Sequence, residues 1–492
     1  MKINQSAPNR SDPAATSASI YDDVWDMEVD VVIVGSGAAG LIAAVESAEV
    51  GAMTLIVESQ NEVGGSSRLS GGYVTLCETD LVPGGRSELL DDLDEAHHHD
   101  SHFELSRLYV EEAANTYARL KELGVEFIAS LQFAHMQRAW AHEPGGIGGG
   151  AEIISRLERA ARRREVDILL ENPARMLVRN AAGRVTGLVV EGPEGMRRIK
   201  AERAVILASG GFTRNVELIQ KYGREGSQYF LPLTGNGSLG DGLRMAMEIG
   251  AATSYLEFGI APTVPVDPVM NTPSLVNYKG AILVNKEGRR FCCESDVYVN
   301  LSWAGVCQPD RLMIQVYDSK IREAYLNSPV SATLGPSHEV SADTLAGVGN
   351  LLEAKYGVDG AMMERTVEQY NSAVESGAAL EFGREFLVGT LGALEKIEAA
   401  PFFASVLVPG TTHFNGGLRI SRNMQVLNCD GDPIIGLYAA GEVTGGFHGA
   451  GYMSGSFMGS ALIFGRIAGK NAADERRAWK GLERGSFSGG PR

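Results

Sequence analysis

Residues 29–58 hold the feature that most limits what this chain can fold into. Val29-Asp30-Val31-Val32-Ile33-Val34 is a β-branched run, the pattern of a strand buried on both faces. It runs directly into Gly35-Ser36-Gly37-Ala38-Ala39-Gly40, and then into a helical stretch ending near Gly51. A second β run, Met53 to Val57, finishes at Glu58, 18 residues beyond Gly40. Strand, GxGxxG, helix, strand and acid in this order form a dinucleotide-binding βαβ unit. Gly35 permits the turn, Gly37 lets backbone N–H groups approach a pyrophosphate, and Gly40 allows helix and strand to pack closely. The helix N-terminus presents partial positive charge to the phosphates, and Glu58 is placed for a ribose hydroxyl. The fold class that follows is α/β.

Directly after Glu58 comes Gly64-Gly65-Ser66-Ser67-Arg68-Leu69-Ser70-Gly71-Gly72, a loop of small residues suited to lie along a flat, extended cofactor. A permanently held flavin makes better use of it than an exchanging nicotinamide. Sixty glycines in 492 residues, well above the usual ~7%, point the same way, to many close approaches of backbone. The net charge of −17 makes nucleic acid or an anionic membrane surface a poor partner. Cys77, Cys292, Cys293, Cys307 and Cys429 contain no CxxC spacing, so zinc, iron–sulfur and c-type haem sites are unsupported and no metal is expected. Thiols of this kind, with no apolar run long enough to span a membrane, fit a cytoplasmic protein that does not insert into membranes.

The string GxGxxG…Glu…GGSSxxSGG resembles the FAD-binding domain of the fumarate reductase, succinate dehydrogenase and 3-ketosteroid dehydrogenase superfamily. Three further segments are similar to that family: Ala204–Phe212, a strand and glycine turn; Gly237-Ser238-Leu239-Gly240-Asp241-Gly242; and Gly436–Val443, whose Glu442 approaches the flavin ribityl chain. The resemblance runs from about residue 28 to 475. It implies a Rossmann-like FAD-binding domain with an inserted α+β cap domain. It assigns cofactor contacts to Gly35, Gly37, Ala38, Ala39, Gly40, Glu58, Ser59, Gly65, Ser66, Ser67, Ser70, Gly71, Gly72, Ala208, Ser209, Gly210, Asp241, Gly441 and Glu442. The branch with covalent FAD attaches it through a His, and none occurs between Glu58 and His97, so non-covalent FAD is expected.

The expected organisation is a flexible tail over 1–27, the FAD domain over 28–255, the cap over 256–398, the returning FAD domain over 399–475, and a second tail over 476–492. The cap contains a hairpin around residues 282–291 and helical runs over 340–355 and 361–376. His97-His98-His99-Asp100 reads as a solvated helical face rather than a metal site, because adjacent helical residues point in different directions.

The reaction is read from departures within the pattern. Family members acting on fumarate hold the dicarboxylate with two His and one Arg and protonate it with a second Arg. Here the residue four beyond the Gly288–Glu294 string is Tyr298, and the residue four beyond His448 is Tyr452, so both cations are replaced by phenols. The family's His-Pro-Thr is Ala261-Pro262-Thr263, while its HisxxGG survives as His413-Phe414-Asn415-Gly416-Gly417. A pocket without fixed positive charge cannot offset the desolvation of two carboxylates. Tyr452-Met453-Ser454-Gly455 resembles the ketosteroid dehydrogenases that desaturate at the 4,5 position.

The implied function is FAD-dependent desaturation α,β to the ketone of a cyclic substrate, a 3-ketosteroid or a cyclohexanone-type ketone, with an unidentified electron acceptor. Tyr452, with a backbone N–H near Gly455, binds the ketone oxygen. Ser454 relayed through Tyr298, or Tyr298 itself, takes the α-proton. His413 polarises substrate or holds Thr411 and Thr412. Arg290 reads as a cap ion pair, and Cys292-Cys293 as structural thiols. The alternatives are a reductase of an enone or of an unsaturated acid, fumarate- or urocanate-like, using Arg68, Arg290 or Lys279, and a non-catalytic flavin-holding redox sensor.

Overall fold

A computed structural model describes residues 24–133, 136–260, 262–266, 273–328, 339–387 and 392–485, with side chains as far as residue 475. Most of the expected N-terminal tail, residue Ala261 and residues 486–492 lie outside the described residues.

The Val29–Val34 run is the centre of an eight-stranded sheet. Strand Met27–Val34 pairs in parallel with Thr54–Val57 on one side and Gly195–Leu207 on the other. Asp167–Leu169 and Pro433–Ala439 extend the parallel set outward, and Gln425–Leu427 closes one edge antiparallel. The antiparallel pair Ala174–Arg179 and Val185–Gly192 branches from Gly195–Leu207. Val31, Val32 and Ile33 are fully buried, as a strand covered on both faces requires. Helix Ala38–Glu49 packs against the long C-terminal helix Ser456–Gly485, which continues past the expected boundary at 475. Gly40 fits the turn because a Cβ there would lie 2.0 Å from the Gly35 carbonyl oxygen.

The second sheet has six strands. Phe402–Thr411 is central, flanked by Met313–Asp318, with Ile282–Val284 beyond it and Leu231–Pro232, Thr263–Pro265 and Glu339–Ala342 also on Phe402–Thr411. Helices Leu345–Tyr356 and Gly360–Ser376 cover it, close to the helical runs expected, and Val284 bridges Arg290 across the expected turn. One core gathers residues from Val29 to Leu256 and from Phe414 to Ala473; a second spans Val276 to Val406.

Besides the boundary at 475, two others differ from expectation. Phe402–Thr411 was expected in the returning FAD domain, but its ladder to Met313–Asp318 builds it into the cap sheet, so the return begins near residue 412. Residues 24–26 are docked rather than loose: Arg198 N–H donates to Asp26 at 2.7 Å, and the Arg198 guanidinium sits 4.7 Å from the Trp25 ring centre. Among the described residues no helix is long and apolar enough to cross a membrane.

Candidate active site

The glycine turn opens an elongated cleft at the carboxyl ends of the parallel strands. Gly35, Gly37, Ala38, Ala39, Glu58, Ser59, Gly65, Ser66, Ser67, Ala208, Ser209, Gly210, Asp241, Gly441 and Glu442 all line it. Glu58 is built into the turn: one carboxylate oxygen accepts from Ser36 N–H at 2.8 Å and Ser36 O–H at 2.6 Å, the other from Gln60 N–H at 2.9 Å. Ser67 Oγ accepts from Ala38 N–H at 3.2 Å, which ties the small-residue loop to the helix N-terminus. Gly40 stands behind the turn. Ser70, Gly71 and Gly72 are off the cleft, because Ser70 C=O accepts from Gly150 N–H at the start of helix Gly149–Arg162 and Gly72 abuts Gly149 and Gly150. Gly237 and Ser238, which open the Gly237–Gly242 string, also line the cleft, as do Gln60 and Gly235, which were not singled out. The Gly-Asn-Gly spacing just before the recognised GxxGDG string was the available signal.

The cleft fits FAD. At Gly65 and Gly210, both with positive φ, an added Cβ would project into open space, leaving backbone free to meet a ligand. Ser209 Oγ and Glu442 Oε1 are buried in it without a protein partner. Burial pushes the Glu442 carboxyl up to about 7, against the opposing contacts of Gly211 and Phe414 backbone.

A second cavity of about 600 Å³ is walled by the end of helix Arg86–Ala96, the Phe258–Ile260 segment, the Ser295–Trp303 segment and the Ala450–Met453 loop, and Tyr298 and Tyr452 both face it. Tyr298 begins helix Tyr298–Val306; Tyr452 sits in the loop before helix Ser456–Gly485. The two phenols hydrogen-bond each other, and Ser454 hydrogen-bonds both. Gly455 N–H donates to Tyr452 Oη at 3.3 Å. Desolvation pushes Tyr452 up to about 12, despite the Gly455, Ser454 and Tyr298 contacts that pull it down. Tyr298 is also raised well above its ordinary value, by desolvation and by the neighbouring Tyr452. Ser454 and Gly455 do not line the cavity; they stand behind the phenols, and the Gly455 N–H expected for substrate is directed at Tyr452. Met453, just before the last helix, lines the cavity, and Ala461, within that helix, lines the cleft.

The cavity wall is poor in usable positive charge. Among its described lining residues the one Arg or Lys is Arg224, whose guanidinium lies 4.8 Å from the Trp303 ring centre. Asp92, Glu95 and Asp296 also line it. Asp92 accepts from Arg138 and Trp140, each at 2.7 Å, and Asp296 accepts from Val297 N–H at 2.7 Å.

His413 lies 4.9 Å from Tyr452 between ring centres, behind the cavity wall. Thr412 Oγ1 contacts its Nδ1 at 3.0 Å, its Nε2 has no partner, and burial drops it to about 3, so the ring is neutral. Arg290 pairs with Glu294 as expected, and Cys292 is a buried free thiol. The histidine run is not a solvated helical face. Helix Arg86–Ala96 stops before it, His98 and His99 have positive φ, and His97 turns inward against Phe447 and His448, fully buried.

Comparison with known proteins agrees with this architecture. Residues 30–458 match the model of the family described as FAD binding domain. The chain is 30% identical over 481 residues to the fumarate reductase (cytochrome) of Shewanella frigidimarina, covering 96% of this chain and 81% of that one. The open conformation of a flavocytochrome c3 fumarate reductase superposes with a TM-score of 0.81 at 29% identity, over 92% of this chain and 79% of that one. The 3-ketosteroid-Δ4-(5α)-dehydrogenase from Rhodococcus jostii shares the fold, with a TM-score of 0.72 at 24% identity over 93% and 99%. The chain belongs to this FAD-binding family, as its match to the family model and its likeness to the fumarate reductase show. It is an FAD-dependent oxidoreductase acting on CH–CH groups.

Proposed function

We propose that this enzyme introduces a C=C bond α,β to the ketone of a cyclic substrate such as a 3-ketosteroid or cyclohexanone-type ketone, and catalyses the reverse enone reduction when electrons are supplied. The observation that carries this reading is the pair of mutually hydrogen-bonded phenols on the wall of a roomy cavity whose one arginine is stacked on Trp303. Phenols donate to a neutral carbonyl oxygen without the fixed charge a dicarboxylate needs.

Tyr452, whose oxygen accepts from Gly455 N–H, is the donor to an oxygen that gains enolate character. Tyr298 exchanges the proton at the α-carbon: it takes that proton in desaturation and returns it in reduction. Ser454, hydrogen-bonded to both phenols, holds Tyr298 in place for that exchange. Bound FAD supplies the hydride chemistry at the β-carbon. The cavity wall of Phe258, Ile260, Val297, Trp303 and Met453 holds an apolar ring system and excludes water from it.

The second reading, reduction of an unsaturated acid, is favoured by the fumarate reductase relative. It requires a cation at the carboxylate. Arg290 is taken by Glu294, Arg68 pairs with Glu62 away from the cavity, and Lys279 is not on the lining, which leaves Arg224. Anaerobic flavin absorbance distinguishes the readings. Bleaching by a 3-ketosteroid or a substituted cyclohexanone, and not by succinate, is the expected result. Bleaching by succinate alone overturns the ketone reading.

A further inference from the structure

Behind the two phenols, strand Val74–Thr75 is clamped to the Ser454–Gly455 peptide. Thr75 Oγ1–H donates to Ser454 C=O at 2.7 Å, and Thr75 N–H donates to Gly455 C=O at 3.2 Å. The approach is close enough to need glycine: Gly455 has φ of +85°, and a Cβ there would fall 2.9 Å from Thr75 Oγ1. On its other side Thr75 is anchored by Tyr109 O–H, from helix Phe103–Glu122, which donates to Thr75 C=O. Thr75 and Tyr109 are fully buried, and neither lines the cavity.

The peptide that Thr75 grips by its carbonyl is the one whose other end, Gly455 N–H, donates to Tyr452 Oη. A peptide unit is planar, so holding its C=O fixes the direction of its N–H. A hydrogen bond accepted at the C=O also polarises the unit and strengthens the bond its N–H donates. We propose that Thr75 is a positioning residue for Tyr452: its hydroxyl orients and polarises the Ser454–Gly455 peptide so that the Gly455 N–H supports charge developing on the Tyr452 oxygen. The kinetic part of this proposal rests on the ketone reading above; the structural part does not.

The titratable groups facing Tyr452 are Tyr298, Tyr109 from helix Phe103–Glu122, and the neutral rings of His413 and His448. Around the shared cavity stand Asp92, Glu95, His98, Arg224 and Asp296. Thr75→Val removes the hydroxyl and leaves all of these in place. In FAD-loaded enzyme labelled with ¹³Cζ-tyrosine, the Tyr452 resonance is assigned by its loss in Tyr452→Phe. Losing one hydrogen bond's support corresponds to a three- to ten-fold weaker acid, so its titration is expected to move to higher pH by roughly half to one unit. Thr75→Ala, which adds no bulk, should reproduce the shift, and Thr75→Ser, which keeps the hydroxyl, should abolish it. With a bleaching ketone, kcat should fall several-fold in Thr75→Val at nearly constant KM and recover in Thr75→Ser. An unmoved Tyr452 resonance in both Thr75→Val and Thr75→Ala overturns the proposal. A shifted resonance in an enzyme that no ketone bleaches upholds the positioning role and sinks the substrate reading instead.

Discussion

Both cavity phenols are protonated at neutral pH, since desolvation raises Tyr452 to about 12 and Tyr298 well above its ordinary value. That charge state sets a direction-dependent pH response. Removing an α-proton needs the phenolate, whose population grows about tenfold per pH unit below the titration point, whereas donating a proton needs the form already present. Steady-state desaturation is therefore expected to accelerate from pH 7 to 10 while enone reduction stays nearly flat. Tyr298→Phe should lower desaturation by ~10²–10⁴-fold and abolish the pH rise. A rise that persists in Tyr298→Phe would assign the proton to another group. Glu442 gives a stability counterpart. Its folded carboxyl is raised to about 7 from 4.5, so the folded state holds a proton that the unfolded chain releases first. Its stabilising contribution is complete below pH 4.5 and is lost as pH climbs to 7, on the order of 3 kcal/mol in all. Urea unfolding of flavin-free protein should show that decline, and Glu442→Gln should remove it.

At the scale of elements, the segment that delivers Tyr298 is pinned from inside the cap. Arg384, fully buried, donates to Asn277 C=O at 2.8 Å, to Ala281 C=O at 3.1 Å and to Ser295 Oγ at 3.2 Å, beside the Arg290–Glu294 pair. Arg384→Met removes the guanidinium 3.5 Å from the buried Glu294 carboxylate, which keeps Arg290 and Leu283 N–H, and leaves the Asn277 and Ala281 carbonyls without that donor; breaking such a buried set costs about 3–5 kcal/mol. Urea denaturation should register that loss, with kcat suffering more than KM as the Tyr298 loop slackens. The cofactor turn depends on close approach instead: Gly40→Ala puts a methyl 2.0 Å from Gly35 C=O, and purified protein is expected to be colourless or weakly loaded with flavin. These two elements also mark what the sequence makes legible. The glycine turn and its flanking strands are read directly, because the β-branched runs, glycine spacing and Glu58 lie within thirty residues. Phe402–Thr411 is misassigned from sequence because nothing within the strand records that its ladder partner is Met313–Asp318. His97 is misread because a run of histidines conceals that the helix stops at Ala96. The sequence of Ser70–Gly72 does not reveal that Ser70 C=O and Gly72 also pack against the start of helix Gly149–Arg162. Thr75 is invisible to any local pattern, since its partner Ser454 is 379 residues away. Tyr298 and Tyr452 are found only as departures from a family motif; their mutual hydrogen bond is a property of the fold.

At the scale of the whole molecule, the net charge of −17 makes a field that every charged reactant must cross. The cavity adds little to counter it, since Arg224 is its single Arg or Lys among the described lining residues. A dianionic substrate approaches against this field, and a neutral ketone does not feel it. Electron partners should sort by charge. At low ionic strength, with a Debye length of ~30 Å near 0.01 M, a cationic viologen donor should react quickly and an anionic acceptor such as ferricyanide slowly. Raising salt to about 0.15 M shortens that length to ~8 Å, so the viologen rate should fall and the ferricyanide rate rise. Stopped-flow measurement of both bimolecular rates across that range is the test. The ring ketone provides the internal control, because its kcat/KM should not change with salt if the substrate is neutral. A ketone kcat/KM that climbs with salt would mean that the substrate carries negative charge, and would move Arg224 from a stacked side chain at the cavity wall to the centre of substrate recognition.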